Sequence, residues 1–251
     1  MGDKTSLIHW HKMQRTEPEK YDIPVVAIDE TGKLEYSSAN KPRNITIVAS
    51  KIDDPRGYSN IANKDHLRWT DENGMIHEVK WSTVSKKNEK KKRRINVIND
   101  ISKHNLSIYE IHEPTMDPRF LSKEDGYPNC VYVDNFETLF DSILEDMDGK
   151  PFDVLIDEVP FGTGDEIAER CKQCAEKHQR NIRWYEMAES KDRDILVVND
   201  YIVGMIGNHY QNIKKKNLYT HEMFNEIKTN SKIKNVKVGN THSGTNHRVN
   251  L

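Results

Sequence analysis

Ile23-Pro24-Val25-Val26-Ala27-Ile28-Asp29-Glu30-Thr31-Gly32 is a short apolar run that ends in acid and then in a turn signal. The run from Ile23 to Asp29 reads as a strand, and Thr31-Gly32 supplies the turn. Asn44 to Ile52 (Asn-Ile-Thr-Ile-Val-Ala-Ser-Lys-Ile) reads as a second strand. Residues 53–63, punctuated by Pro, Gly and Asn, read as a loop, and Met75 to Trp81 as a third short strand after the turn Glu72-Asn73-Gly74. Beyond this point the pattern becomes an alternation. Ser85 to His104 is a basic helix with a stripe of Ile95, Val97, Ile98 and Ile101, and Leu106 to Ile111 is a strand. Asn135 to Met147 is an acidic amphipathic helix, Phe152 to Ile156 a buried strand ending at Asp157, Gly164 to His178 a helix, and Ile182 to Met187 a strand. A last apolar helix runs from about Arg193 to Gln211. Three strands followed by alternating helices and strands predict an α/β fold. Its mixed sheet has three largely antiparallel N-terminal strands, and helices cover its faces.

Composition narrows the classes of function. The chain has 251 residues, 35% hydrophobic and 31% charged. That length allows one large domain or two small ones. The expected organisation is a polar extension over 1–22, a domain over 23–211, and a basic C-terminal helix and tail over 212–251. After Lys228 there is little to bury, so that part is expected to be mobile. The longest aliphatic run, Ile195-Leu196-Val197-Val198, is far below the roughly 20 residues of a membrane span. Met1 to Ser6 is not followed by an apolar core and a small-residue cleavage site, so no secretory signal is expected. Three cysteines fit a reducing, cytoplasmic setting better than a disulfide framework.

A net charge of −2 hides a segregation. Residues 86–94 carry seven positive charges against one negative, and 212–251 carry eight against two. Glu110 to Glu166 holds 16 acids against three bases. Basic runs commonly coat a solvated helix or tail. Here the run Lys90, Lys91, Lys92, Arg93 and Arg94 is also a candidate footprint for a nucleic-acid backbone.

Four acids stand where strands or helices can aim them together. Asp29, with Glu30 beside it, closes the first strand; Glu78 precedes the basic helix; Asp157, with Glu158 beside it, closes the strand Asp153–Ile156. Asp200 interrupts the apolar helix, and its neighbours at i−4, i+3 and i+4 are Leu196, Val203 and Gly204. A lone acid in such a run is costly to bury unless it is paired, metal-bound or facing a cleft. Carboxylates gathered at one place can hold two divalent cations roughly 3.5–4 Å apart, the arrangement that activates water and stabilises the leaving oxygen of a phosphodiester. Hard oxygen donors select Mg²⁺ or Mn²⁺.

These residues also carry a resemblance. Ile28-Asp29-Glu30-Thr31-Gly32 resembles the strand-ending "DESG" element of the family called domain of unknown function 3800, a group of RNase H-like proteins. Glu78-Val79-Lys80-Trp81-Ser82 resembles its "ELKxS" element, and Val154-Leu155-Ile156-Asp157-Glu158 its later strand-ending acid. Glu189-Ser190 followed by Leu196 through Gly204 resembles its closing "S…LQxADxxAG" helix. The four elements occur in order from about Val25 to Asn208. The resemblance implies an RNase H-like fold and a metal-dependent nuclease site with Asp29, Glu78, Asp157 and Asp200 as metal ligands. Glu30 and Glu158 become auxiliary acids and Lys80 a phosphate contact. Thr31 stands where Ser is usual, Val197 where Gln is usual, and Asn199 where a small residue precedes the acid. The expected function is therefore two-metal hydrolysis of nucleic-acid phosphodiesters. The alternatives are a non-catalytic nucleic-acid- or partner-binding module on the same fold, and a small-molecule phosphohydrolase.

Other residues point less far. Cys171, Cys174 and His178 lie at i, i+3 and i+7 of one helix, but zinc wants a fourth ligand and usually a knuckle, so ordinary semi-buried thiols are expected. Gly162-Thr163-Gly164 lacks the Lys of a P-loop and reads as a helix-entry loop. Tyr109, Tyr132, Trp184 and Tyr185 read as sheet packing rather than base stacking. His9, His11, His242 and His247 lie in the extensions, where solvated side chains are expected.

Overall fold

The computed structural model of the chain describes residues 21–32, 45–82, 87–113, 127–147, 149–158, 164–212 and 218–236. In chain order its elements are β1 (Val25–Thr31), β2 (Ile45–Ile52), α1 (Pro55–Lys64), β3 (Arg68–Thr70), β4 (Ile76–Glu78), α2 (Lys87–Ile101), β5 (Leu106–Glu113) and α3 (Tyr127–Glu145). Then follow β6 (Phe152–Asp157), α4 (Gly164–Lys177), β7 (Ile182–Ala188), a 3-10 turn at Ser190–Asp192, α5 (Asp194–Asn212), α6 (Leu218–Asn230) and β8 (Lys232–Asn235).

The fold is α/β, with a mixed six-stranded sheet in the order β7-β6-β1-β2-β5-β8. β1 and β5 both run antiparallel to β2, while β6 runs parallel to β1, β7 parallel to β6, and β8 parallel to β5. The pleat sends alternate side chains to two separate cores. Val25, Ala27, Val48, Ile52, Ile108 and Leu155 face α1, α2, α5 and α6. Val26, Ile28, Ile47, Ala49, Ile111 and Val154 face α3 and α4. The central strands are apolar on both faces because helices cover both.

α5 has Ile195, Leu196, Val197, Val198, Tyr201, Ile202, Val203, Met205 and Ile206 all buried. It is apolar all round because it lies between the sheet and the outer helices α1, α2 and α6. No helix among the described residues is long and apolar enough to cross a membrane.

Three sequence expectations need correction. The stretch read as a third sheet strand forms β4, which pairs with β3 in a separate ribbon. All three β4 residues are only half-buried, so the stretch lacks the two-sided apolar character of a central strand. The third antiparallel strand of the main sheet is β5 instead.

The stretch 53–63, read as loop, falls almost wholly in α1 and its Asp54 cap. Asp54 caps it, accepting the Gly57 N–H at 2.9 Å, and Pro55 occupies the first turn where its missing N–H costs nothing. Tyr58, Ile61 and Ala62 bury one face. Asp54→Ala is expected to cost about 1 kcal/mol, seen as a thermal midpoint lowered by roughly 2–4 °C.

The reading of residues beyond Lys228 as tail fails for Lys232–Asn235, which form β8. Ile233 packs on the α5-side core and Val236 is buried in the other. The exposed Lys232 suits an edge strand, where lysines discourage further pairing.

Candidate functional site

Asp29 and Asp157 owe their position to register. Ile28 pairs with Ile156 in the parallel β1–β6 ladder, so the next residue on each strand is an aspartate at the same level. Both are two residues beyond side chains of the α5-side core, Ala27 and Leu155. The pleat therefore turns both carboxylates toward α5. The same small turn holds each: the Glu30 N–H donates to Asp29 Oδ1 at 2.6 Å, and the Glu158 N–H donates to Asp157 Oδ1 at 3.0 Å. Glu30 is half-buried and Glu158 exposed.

Asp200 approaches from α5. Its Oδ2 accepts the Trp81 backbone N–H at 2.6 Å. The segment carrying Trp81 is clamped on the helix at two further points. The Tyr201 hydroxyl donates to the Val79 carbonyl at 2.9 Å, and the Trp81 indole packs edge-on against the Tyr201 ring at 5.9 Å. Gly204 leaves room for that indole, since a Cβ there would fall 2.3 Å from Trp81 Cγ. This clamp carries β4, and with it Glu78, to the cluster. Ser190 Oγ lies 2.8 and 3.0 Å from the two Glu78 oxygens, and Lys80 Nζ lies 3.0 Å from Glu78 Oε1.

The charges answer to one another. Asp29 is 6% exposed, and its carboxyl is held well above the usual carboxylate range by burial first, then by the charges of Asp157, Glu30 and Asp200. Asp157 is pushed up to about 6, mainly by burial, with Glu78 and Asp200 adding and Lys80 opposing. Asp200 is raised by burial and by Glu78, against the Trp81 N–H, Lys80 and Arg94. Burial pulls the Lys80 ammonium down, but Glu78, Asp157 and Asp200 together outweigh it and raise its pKa. The four acids expected from the sequence are thus brought into one field, with Lys80 inside it. Among the described residues, no three His, Cys, Asp or Glu side chains are grouped closely enough to hold a metal ion.

The basic run divides. Lys91 and Lys92 are exposed on α2 and Arg93 is half-buried, while the Lys90 side chain lies outside the described residues. Arg94, expected to meet substrate phosphates, is buried instead. Its Nε donates to the Trp81 carbonyl at 3.1 Å and its guanidinium lies 3.8 Å over the indole. It holds the clamp through both the backbone and the ring of Trp81. The sequence offered a charge run and no sign that its last member turns inward.

Other contributors were not singled out from the sequence. Ser50 Oγ donates to Asn199 Oδ1 at 2.7 Å, tying β2 to α5 one residue before Asp200. Glu110 lies in the same cross-strand row as Asp29, with Val48 between them, and so also faces α5. It is buried, which raises its pKa, and it accepts from Tyr210 and Asn235. Its Oε2 has no partner among the described residues. Helical spacing from a recognised acid points to none of these.

Tyr109, Trp184 and Tyr185 are buried in the sheet, as their neighbours suggested. Cys171 and Cys174 are buried free thiols, both pushed up by burial, Cys174 to about 12. His178 is engaged by Asp141 at 3.0 Å. Residues 1–20, the side chain of Tyr132, Gly162-Thr163, and residues 237–251 with His242 and His247 lie outside the described residues.

No protein-family model matches the chain, and a search of curated proteins finds no match.

Proposed function

We propose that this chain is a divalent-metal-dependent nuclease of RNase H-like fold, akin to the domain of unknown function 3800 family through its four short motifs. The observation that carries this reading is the convergence of acids on Asp29. Asp29 and Asp157, level with each other on β1 and β6, are turned toward α5, both Asp157 and Asp200 raise the Asp29 pKa, and Asp200 raises that of Asp157. Asp153, by contrast, is neutralised by its own cation, Arg183 at 2.6 Å. Like charges gathered under partial burial are costly and cluster at functional sites.

The donor set fits the group. All four side chains offer the hard oxygens that suit Mg²⁺ or Mn²⁺, and Asp29, Asp157 and Asp200 with Glu78 would hold it. A cation bound there supplies Lewis-acid polarisation of the phosphodiester and a water activated for attack. Ser190 orients Glu78, the Trp81 N–H orients Asp200, and Lys80 offers an ammonium to a phosphate oxygen. Lys91 and Lys92 add exposed positive charge along α2 for the backbone. The sheet supports the fold assignment: β1, β2 and β5 form the antiparallel trio, and β6 and β7 follow in parallel with intervening α4.

One observation favours a second reading, a nucleic-acid- or partner-binding module without turnover. The ligand set is not closed among the described residues, and Glu78 is engaged by Lys80 and Ser190. The two readings separate in one experiment. Labelled single-stranded and duplex DNA and RNA, and mononucleotides, are incubated with the full chain in Mg²⁺, Mn²⁺ or EDTA, beside Asp200→Asn. Cleavage with metal, none in EDTA, and loss of cleavage but not of binding in the variant is the expected result. Binding without turnover under any metal establishes the module, and turnover of mononucleotides alone establishes a phosphohydrolase.

A further inference from the structure

The β3–β4 ribbon delivers Glu78 to the site, and it also carries the exposed large apolar side chains of the described residues. Trp69 is 49% exposed and Met75 62%. Neither is at a frayed end. Asp71 Oδ1 accepts the N–H groups of Asn73 and Met75, each at 2.9 Å, and Gly74 takes the positive φ of 79° that closes the turn. The other Asp71 oxygen lies 2.9 Å from His77 Nε2 and fixes that ring. His77 is the cross-strand partner of Trp69, and its imidazole lies nearly parallel to the indole, 5.2 Å between centroids at 17°. The ribbon is anchored behind by Arg68, whose Nη1 meets Asp194 at 2.8 Å, and by the Val79 N–H on the Leu67 carbonyl at 2.7 Å.

The outcome is an indole backed on one side, held by a hydrogen-bonded turn, and half open to solvent. Exposing it costs free energy, so it wants a flat apolar occupant. The patch is one ring and one thioether, far less than the roughly 800 Å² per partner of a stable protein interface. It matches the face of a single nucleobase, which stacks on aromatic side chains whatever its identity. A base inside a duplex has no free face to offer. His77 and Glu78 are chain neighbours, so the indole stack and the Glu78 carboxylate lie one residue apart along β4, on alternate faces of the strand.

We infer that Trp69, backed by His77, is a stacking subsite for an unpaired nucleobase, so that the nucleic acid crossing the ribbon is single-stranded. As a statement of substrate class this rests on the nuclease reading above.

The test uses the full chain in EDTA, with fluorescence anisotropy on a labelled 12-nucleotide single strand, as DNA and as RNA, and on the matching duplexes. Wild type is compared with Trp69→Ala and Trp69→Phe, and cleavage is then read with Mg²⁺ and Mn²⁺ beside Asp29→Asn. Expected is a loss of single-strand affinity in Trp69→Ala of about 5- to 150-fold, near-retention in Trp69→Phe, and unchanged duplex affinity. Equal single-strand affinity in Trp69→Ala and wild type overturns the subsite, as does an equal loss on duplex. Self-association of wild type that vanishes in Trp69→Ala, with oligonucleotide affinity unchanged, overturns it in favour of a contact between copies. Metal-dependent cleavage that Asp29→Asn abolishes and Trp69→Ala leaves intact removes the subsite and keeps the nuclease. Trp69-dependent single-strand binding without cleavage under any metal keeps the subsite and removes the nuclease.

Discussion

Asp29→Asn is expected to abolish metal-dependent cleavage and, in the same protein without metal, to raise the thermal midpoint. Asparagine keeps the shape, and its amide oxygen can still accept the Glu30 N–H that now meets Asp29 Oδ1. What disappears is a buried carboxyl whose ionised form is opposed by burial and by Asp157, Glu30 and Asp200. Removing a repelled, desolvated charge stabilises the fold, and each kcal/mol gained moves the midpoint by roughly 2–4 °C in a chain of this size. Removing a proposed metal ligand should lower cleavage by more than the roughly 10–100-fold that outer-shell changes cost.

The pH dependence follows with a definite sign. Asp157 ionises at about 6 in the folded chain against 3.8 ordinarily, so the folded state holds that proton more tightly than the unfolded state. Its contribution is fully present below the unfolded value and is lost as pH rises through about 6. Metal-free protein should therefore lose midpoint over that window, and Asp29→Asn should lose less because Asp29's own share is gone. Saturating Mg²⁺ should reverse the loss in wild type and not in the variant. A midpoint that falls in Asp29→Asn would mean that Asp29 holds the fold together and is not a strained site residue.

Gly204→Ala should be among the most disruptive single-methyl changes in the chain. The new Cβ would lie 2.3 Å from Trp81 Cγ, 2.4 Å from Cδ1 and 2.8 Å from Cβ, so the tryptophan would have to move from its root. It has nowhere to go, with Arg94 at 3.8 Å on its ring and Tyr201 against its edge. Overpacking of this kind costs about 1–3 kcal/mol. Displacing the Trp81 N–H from the Asp200 carboxylate adds a charge-assisted hydrogen bond of about 1.5–3 kcal/mol. The helix gains about 1 kcal/mol from alanine over glycine. The expected net is a loss of about 2–4 kcal/mol, and a midpoint lowered by on the order of 10 °C. Circular dichroism and tryptophan emission would report it together. An unchanged midpoint would show that the indole does not sit against α5.

The main elements were legible because their period is local. β1, β2, β5, β6 and β7 are short apolar runs with turn residues at their ends, and α5 is a long apolar stretch. α1 was missed because the Pro and Gly that punctuate a loop also suit a first helical turn after an aspartate cap. β8 was missed because Lys232-Ile233-Lys234 is two-thirds charge, and only pairing with β5, more than a hundred residues earlier, gives it a reason to be a strand. In the candidate site, the acids at strand ends announce themselves by interrupting apolar runs. The groups that orient them do not. Trp81 acts through its backbone N–H and carbonyl, Arg94 resembles its exposed neighbours in the chain, and Gly204 matters for an atom it lacks.

The separation of Asp29 from Asp200 along the chain has a consequence in time. Translation delivers about 5–20 residues per second, so Asp29 leaves the ribosome roughly 10–30 s before Asp200. In that interval β1 lacks its β6 neighbour for most of the wait and α5 for all of it. The carboxylates meet only when nearly the whole domain has been made. A nascent chain of this protein therefore has no assembled carboxylate cluster until α5 has been made, and no shortened product that ends before α5 can carry one.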